Sequence, residues 1–331
     1  PVLNRPDLLS LYVNIPFCPS RCTYCSFTMR TAAQYGEAER ERHMIGLLHE
    51  IESLAGTMEA LDLKLCTVYV GGGTPTILSS EWLKDLLAAI NSLPRWQDTI
   101  EITVEAGRPD TINRDKLAQL TSCTRISINP QTMNDATLQR IGRFHTANDV
   151  RSSFALAREM GFDNINADLI IGLPEEGAAN VRQSLDEVLS LGPSSVTTHM
   201  FSPKRTSLYG EGTNWVPMQP EQAELASHMC VERLLAHGMR PYYLYRQRAI
   251  LAGLENVGWS IPGKECLYNI LVISETQAIV GVGAGANSMF PKKDAEWKRH
   301  LNPKEIKTYL SRLDQNIGSK RTLLENWRSK V

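Results

Sequence analysis

No apolar run in this 331-residue chain approaches the ~18 residues that a membrane span needs. No signal peptide is recognisable either, so neither a membrane-spanning nor a secreted class is expected. An excess of charge is also missing. Thirty-five basic and 36 acidic residues leave a net charge of −1, which argues against electrostatic capture of nucleic acid or an anionic membrane. Internal repeats, low-complexity runs and charge blocks are absent. Cysteine is sparse and odd in number, at seven, so a disulfide framework is not expected. What composition allows is a large core: with 42% hydrophobic residues, one α/β barrel and an appendage fit this length.

The seven cysteines are unevenly spread. Cys18, Cys22 and Cys25 stand at a C-x3-C-x2-C spacing just past the apolar run Leu11–Ile15. Three thiols on one short loop can hold three corners of a four-iron cluster and leave the fourth iron open for a substrate. Zinc would want a fourth nearby Cys or His, and the next candidates, His43 and His49, fall on a helix-like segment. Inert core cysteines are the other alternative. Cys66, Cys123, Cys230 and Cys266 sit mostly among apolar neighbours and read as buried free thiols. Reduced thiols beside an oxygen-sensitive cluster predict a cytoplasmic, low-oxygen setting. The first residue is Pro1, not methionine, which leaves a preceding segment open.

Strand-like and helix-like runs alternate as parallel βα units do. Strands are expected at Leu11–Ile15, Leu65–Val70, Ile100–Val104, Arg125–Ile128, Ile165–Ile171 and Ser195–Phe201. Helices are expected at Glu37–Thr57, Ser80–Ser92, near Asn113–Leu120, at Ala147–Met160 before Gly161, and near Asn180–Leu191. The fold class is therefore α/β: a partial (βα)6 TIM-like barrel over residues 8–215, with a smaller C-terminal α+β region over 216–331. In that second region a helix is expected at Glu221–His237 and another at Pro303–Asn316. Mixed or antiparallel strands are expected at Tyr242–Arg246, Tyr268–Ser274 and Gln277–Val282, closing over the barrel mouth.

Parallel βα sheets carry chemistry at the C-terminal ends of their strands, and polar residues gather there. Gly71-Gly72-Gly73-Thr74 ends the second strand, where glycines allow close backbone approach to a ligand; a tight βα turn explains them as well. Glu105 ends the third strand and can accept from hydroxyls or a cationic amine. Gln131 follows the fourth, and Arg143 can pair with a carboxylate. Asp168 interrupts an apolar strand and needs a partner. Surface ion pairs and structural hydrogen bonds are the bland alternatives for this set.

The cysteine spacing resembles the signature of the radical S-adenosylmethionine (SAM) enzymes. Tyr12-Val13-Asn14-Ile15-Pro16-Phe17-Cys18 resembles the lead-in found in the oxygen-independent coproporphyrinogen III dehydrogenases of the HemN branch. Val104–Asp110, Ile128–Met133, Tyr242–Gln247, Leu254–Gly258 and Gly281–Ala286 look closest to the HemZ-type subgroup, so the likeness covers about residues 8–290. The resemblance implies a [4Fe-4S] cluster on Cys18, Cys22 and Cys25, whose open iron binds SAM; an electron splits the sulfonium and releases a 5′-deoxyadenosyl radical. It carries Tyr12, Gly72, Glu105, Gln131, Arg143 and Asp168 over to positions holding the cluster-bound SAM. Tyr24, Gly73 and Thr74 match positions lining a second SAM, and Ser202 aligns loosely with another. An external electron donor of flavodoxin or ferredoxin type and a small-molecule substrate are implied, with no nucleic acid and no membrane.

The resemblance further implies oxidative decarboxylation of two coproporphyrinogen III propionates to vinyls. Arg108, Lys204, Arg205 and Arg246 are candidate propionate partners, and Tyr243 and Tyr245 can face a tetrapyrrole; solvated charge and ordinary strand packing explain them as well. Phe27 stands where HemN carries an additional cysteine, which weakens the substrate assignment. HemN-like paralogues include methyltransferases and cyclopropanating enzymes that use a second SAM. Haem chaperones of the HemW type carry a His-Asn-x-x-Tyr-Trp signature, and this chain has no such run.

Overall fold

The computed structural model describes residues 5–25, 30–95, 100–203, 207, 218–291 and 298–329. Among the described residues the strands are β1 (Leu8–Ile15), β2 (Lys64–Gly72), β3 (Glu101–Glu105), β4 (Arg125–Ser127), β5 (Ile165–Ile171), β6 (Ser195–Met200), β7 (Arg240–Tyr245), β8 (Asn256–Ser260), β9 (Ala278–Val282), β10 (Asn287–Phe290) and β11 (Lys298–Leu301). The helices are α1 (Ala32–Tyr35), α2 (Glu37–Ala60), α3 (Ser80–Asn91), α4 (Arg114–Gln119), α5 (Asp135–Arg140), α6 (Ala147–Glu159), α7 (Ala178–Ser190), α8 (Pro220–Ala236), α9 (Leu267–Ser274), α10 (Ile306–Ser311) and α11 (Leu313–Arg328).

All strands join one sheet, ordered β11-β10-β9-β1-β2-β3-β4-β5-β6-β8-β7. β1 to β6 are parallel and lie in chain order, as successive βα units require. The expected α/β class, with its parallel sheet flanked by helices, is the observed one. Strands beyond the core extend both edges: β9 pairs parallel with β1, while β8 pairs antiparallel with β6.

Local signals account for several helices. Ser79 caps α3 by accepting from Trp82 N, and Thr146 and Asp149 form a reciprocal capping box on α6. Gly161, at φ +88°, ends that helix in a conformation that favours glycine. The apolar face of each parallel strand packs on the helices: Leu9, Leu11, Val13 and Ile15 on β1, with Val68, Val70, Ile102, Val104, Ile126, Ile165, Leu169 and Ile171, belong to one buried cluster.

Three expectations need correction. Tyr268–Ser274 is not a strand but lies in helix α9. Its run of aromatic and β-branched residues favours a strand locally. Tertiary contacts decide otherwise: the Glu101 carboxylate accepts from Leu267 N at 2.6 Å and Tyr268 N at 3.1 Å, while Leu271 buries against Leu8 and Cys66. The single helix expected at Pro303–Asn316 is two, α10 and α11, broken at Arg312. Finally, β8, β10 and β11 were not anticipated. They are four or five residues long, too short for periodicity to announce them.

Candidate active site

The faces of β1–β6 that do not meet the helices are polar. Ser10, Tyr12 and Asn14 alternate with the apolar positions of β1; Thr67 and Tyr69 do so on β2, Glu101, Thr103 and Glu105 on β3, Arg125 and Ser127 on β4, Asn166 and Asp168 on β5, and Ser195, Thr197 and His199 on β6. Strands buried in a parallel sheet normally read as continuous apolar runs. Here the inner face encloses a cavity of about 450 Å³. Cys18, Cys22, Cys25, Tyr12, Tyr24, Gly72, Gly73, Thr74, Glu105, Gln131, Arg143, Asp168 and Ser202, the residues that the resemblance carries to the cluster and SAM, line it.

The cysteine loop follows β1 and crosses the end of β2. Gly73 N donates to Ile15 O and Thr74 N to Phe17 O, both at 2.7 Å, so the two loops are bonded edge to edge. That contact is what requires the glycines. A Cβ on Gly72 (φ +102°) would lie 2.0 Å from Asn14 Oδ1, and one on Gly73 2.3 Å from Phe17 O. Thr74 Oγ1 lies 3.4 Å from Cys18 Sγ, and Arg108 Nη1 donates to Cys22 Sγ at 3.5 Å. Among the described residues no three His, Cys, Asp or Glu side chains converge as they would around a single ion. Phe27 lies outside the described residues.

Arg143 is buried beneath this loop. Its Nη2 donates to Gly107 O at 2.7 Å and Asn129 O at 2.6 Å, its Nη1 to Tyr24 Oη at 3.2 Å, and its Nε has no partner. Gln131 adopts φ +70°, unusual for a side chain of its size, and its buried Oε1 is also unpartnered. Backbone bonds hold it there: Gln131 N donates to Asp168 O and Ile170 N donates to Gln131 O, each at 2.9 Å. Burial pushes the Glu105 carboxyl up to about 7, even though Tyr69 Oη donates to it at 2.6 Å. For Asp168, burial acts in the same direction but is outweighed. The His199 imidazole 3.7 Å away and a bond from Asn166 Nδ2 at 2.7 Å hold its carboxyl below the usual value. Tyr12, Tyr69 and Tyr268 stack into an aromatic wall, with ring centroids 4.8 to 6.3 Å apart.

Some candidates do other work. Arg108 is 3% exposed and bound to Asp110, Ser20 and the cysteine loop, so it braces that loop and does not stand free at the mouth. Arg246 pairs with Glu255 on the surface, and Ser202 Oγ donates to Arg248 O at 2.8 Å. Lys204 and Arg205 lie outside the described residues. Tyr243 and Tyr245 both line the cavity. Sequence reasoning passed over Tyr69, Arg125, Asn166, Thr197, His199 and Asn269, which line it too. The period-two polar pattern inside otherwise apolar parallel strands was the available signal for all but Asn269, which sits on α9.

A family model for the radical SAM superfamily matches residues 12–188. The chain belongs to that superfamily. Its members use a [4Fe-4S] cluster and SAM. Among curated radical SAM relatives, the oxygen-independent coproporphyrinogen-III oxidase-like protein HemZ of Bacillus subtilis is 42% identical over 326 residues, 96% of this chain and 64% of that protein. The chain thus spans under two thirds of HemZ's length. The heme chaperone HemW of Bacillus subtilis is 34% identical over 84% of this chain and 70% of its own. The coproporphyrinogen III oxidase HemN of Escherichia coli superposes with a TM-score of 0.74 over 95% of this chain and 71% of that one, at 22% identity, which shows a shared fold. The cavity suits the superfamily's cofactors: three thiols share one loop, and buried polar atoms of Gln131 and Arg143 lack protein partners. No helix among the described residues is long and apolar enough to cross a membrane.

Proposed function

We propose that this chain is a radical SAM enzyme that oxidatively decarboxylates propionate side chains of coproporphyrinogen III. The observation that carries the chemistry is the convergence of the cysteine loop and the strand-end polar residues on one cavity. The likeness to HemZ supports the substrate. When bound, a reduced [4Fe-4S] cluster and SAM would supply radical chemistry able to take hydrogen from unactivated carbon.

The protein's part is binding and shielding. Cys18, Cys22 and Cys25 hold three irons, and the Arg108 guanidinium beside Cys22 offsets the negative charge of that thiolate set. Arg143 pairs with the SAM carboxylate, while Glu105 and Asp168 accept from ribose hydroxyls. The Tyr12, Tyr69 and Tyr268 wall keeps water from the reacting carbon. Each propionate would become a vinyl group by losing CO2 and two hydrogens: one hydrogen atom ends in 5′-deoxyadenosine, the other leaves as a proton, and an external acceptor takes the single remaining electron.

A second reading is favoured by the HemW likeness, namely a haem-handling protein without decarboxylase activity. Absence of the His-Asn-x-x-Tyr-Trp run speaks against it. One experiment separates the readings. Anaerobic reconstitution should load about four irons per chain, and reduced protein with SAM and coproporphyrinogen III should give products lighter by CO2 and two hydrogens. Cys22→Ala should abolish SAM cleavage. Unchanged substrate mass together with stoichiometric haem binding supports the chaperone; S-adenosylhomocysteine formed beside 5′-deoxyadenosine supports methyl transfer.

A further inference from the structure

The cavity floor holds a charge that the protein itself leaves unpaired. Arg125 opens β4, is 2% exposed and lines the cavity at the opposite end of its strand from the residues expected to hold SAM. Nη2 donates to Ser195 Oγ at 2.8 Å and Nε has no partner; among the described residues the guanidinium makes no ion pair. Glu101 is the carboxylate whose field reaches it. Its oxygens, however, serve the start of α9, accepting from Leu267 N, Tyr268 N and Cys266 Sγ. The other deeply buried cations among the described residues are satisfied differently. Lys320 pairs with Glu50, Arg108 pairs with Asp110, and Arg143 has two carbonyls and a phenol.

A guanidinium is always charged, and burying it without a counterion is costly. Its planar fork matches a carboxylate. The same cavity is lined by the neutral donors and acceptors Asn166, Thr197, Tyr243 and Asn269; its carboxylates, Glu105 and Asp168, face Tyr69 and His199 with Asn166, and neither makes an ion pair with Arg125. We propose that Arg125 anchors a carboxylate of the substrate, carried on an arm that reaches down the cavity, and so selects substrates bearing such an arm. The substrate's identity rests on the function proposed above; the carboxylate subsite rests on the geometry of Arg125. SAM is the other source of a carboxylate, and Arg143 serves it nearer the cysteine loop.

The test uses cluster-reconstituted, unreduced protein titrated with coproporphyrin III and with its tetramethyl ester, read by porphyrin fluorescence. Arg125→Gln should weaken binding of the tetra-acid about 10- to 100-fold and leave binding of the ester unchanged. Arg125→Lys should fall between, and it carries the test should the glutamine variant fail to fold. SAM binding to either variant should match the parent protein. Equal affinity of parent and variant for the tetra-acid overturns the proposal. So does weakened SAM binding with unchanged porphyrin binding, which would give Arg125 to the SAM carboxylate. If the parent protein binds neither porphyrin, the tetrapyrrole reading fails and glutarate becomes the probe. A rise in the thermal midpoint of the parent, absent in the variants, supports the subsite; no rise in the parent overturns it.

Discussion

Two buried polar regions flank the same parallel sheet, and they differ in how their charges are met. Behind β9, the Glu50 carboxylate of α2 receives Lys320 of α11, Tyr309 Oη at 2.7 Å, Gly283 N at 2.7 Å and Asn302 Nδ2 at 2.9 Å. Burial alone would raise Glu50, yet Lys320 keeps it below its ordinary value. On the inner side of β3–β6, Arg125, Arg143 and Gln131 each keep a buried polar atom without a partner, and Glu105 is driven up to about 7 by burial. Neutral atoms go unpaired in the first region as well, at Asn302 Oδ1 and His43 Nδ1, but both of its charges are matched. The difference separates a strut from a receptor. The first network ties the C-terminal helices to β9, whose following Gly283 packs on Asn14 of β1 just ahead of the cysteine loop. The second leaves buried polar atoms without protein partners, as the proposed SAM and substrate sites require.

The comparison can be broken in four places. Lys320→Met strands the Glu50 charge and should cost about 3–5 kcal/mol in denaturant unfolding, with little change in SAM affinity of the folded fraction. Arg143→Met should weaken SAM binding about 10- to 100-fold by calorimetry, an effect Lys320→Met lacks, and should also lower the thermal midpoint because Gly107 O and Asn129 O lose their donor. A third change concerns pH. The folded Glu105 carboxyl lies at about 7, above the ordinary 4.5, so the ligand-free fold loses stability as pH rises through that interval. The ionised carboxylate accepts from a ribose hydroxyl more strongly than the neutral acid does, so SAM affinity should climb as pH rises through about 7, and Glu105→Gln should flatten the profile. Smallest of all, Thr103→Val removes a fully buried hydroxyl that has no partner. It should leave stability unchanged or raise it by up to about 1 kcal/mol, as measured by urea unfolding.

Much of the receptor was legible in the sequence because it is written locally. The C-x3-C-x2-C spacing, the glycine run and the polar strand ends are short-range patterns, and all of them reach the cavity. The cavity floor was not legible. Arg125 looks like the ordinary start of a strand, and its meaning depends on Glu101 being occupied by α9, 166 residues further on at Leu267. The same long-range cap turned a strand-like run into that helix. The glycine run has a second reason that lies far off in the chain: a Cβ on Gly72 would meet the Asn14 side chain and one on Gly73 the backbone of Phe17. The Glu50–Lys320 strut joins residues 270 positions apart and has no local signature.

Hydrogen–deuterium exchange of the cluster-reconstituted protein with and without SAM tests the contrast most directly. Gains in protection confined to Gly71–Thr74, Glu105–Arg108, Gln131, Ile141–His145 and Ile165–Ile171, with no change around Glu50, Gly283 and Lys320, are the predicted result. Protection that rises equally in the Glu50 network, or that bypasses the strand ends, would contradict the assignment of the unpaired inner face as the receptor.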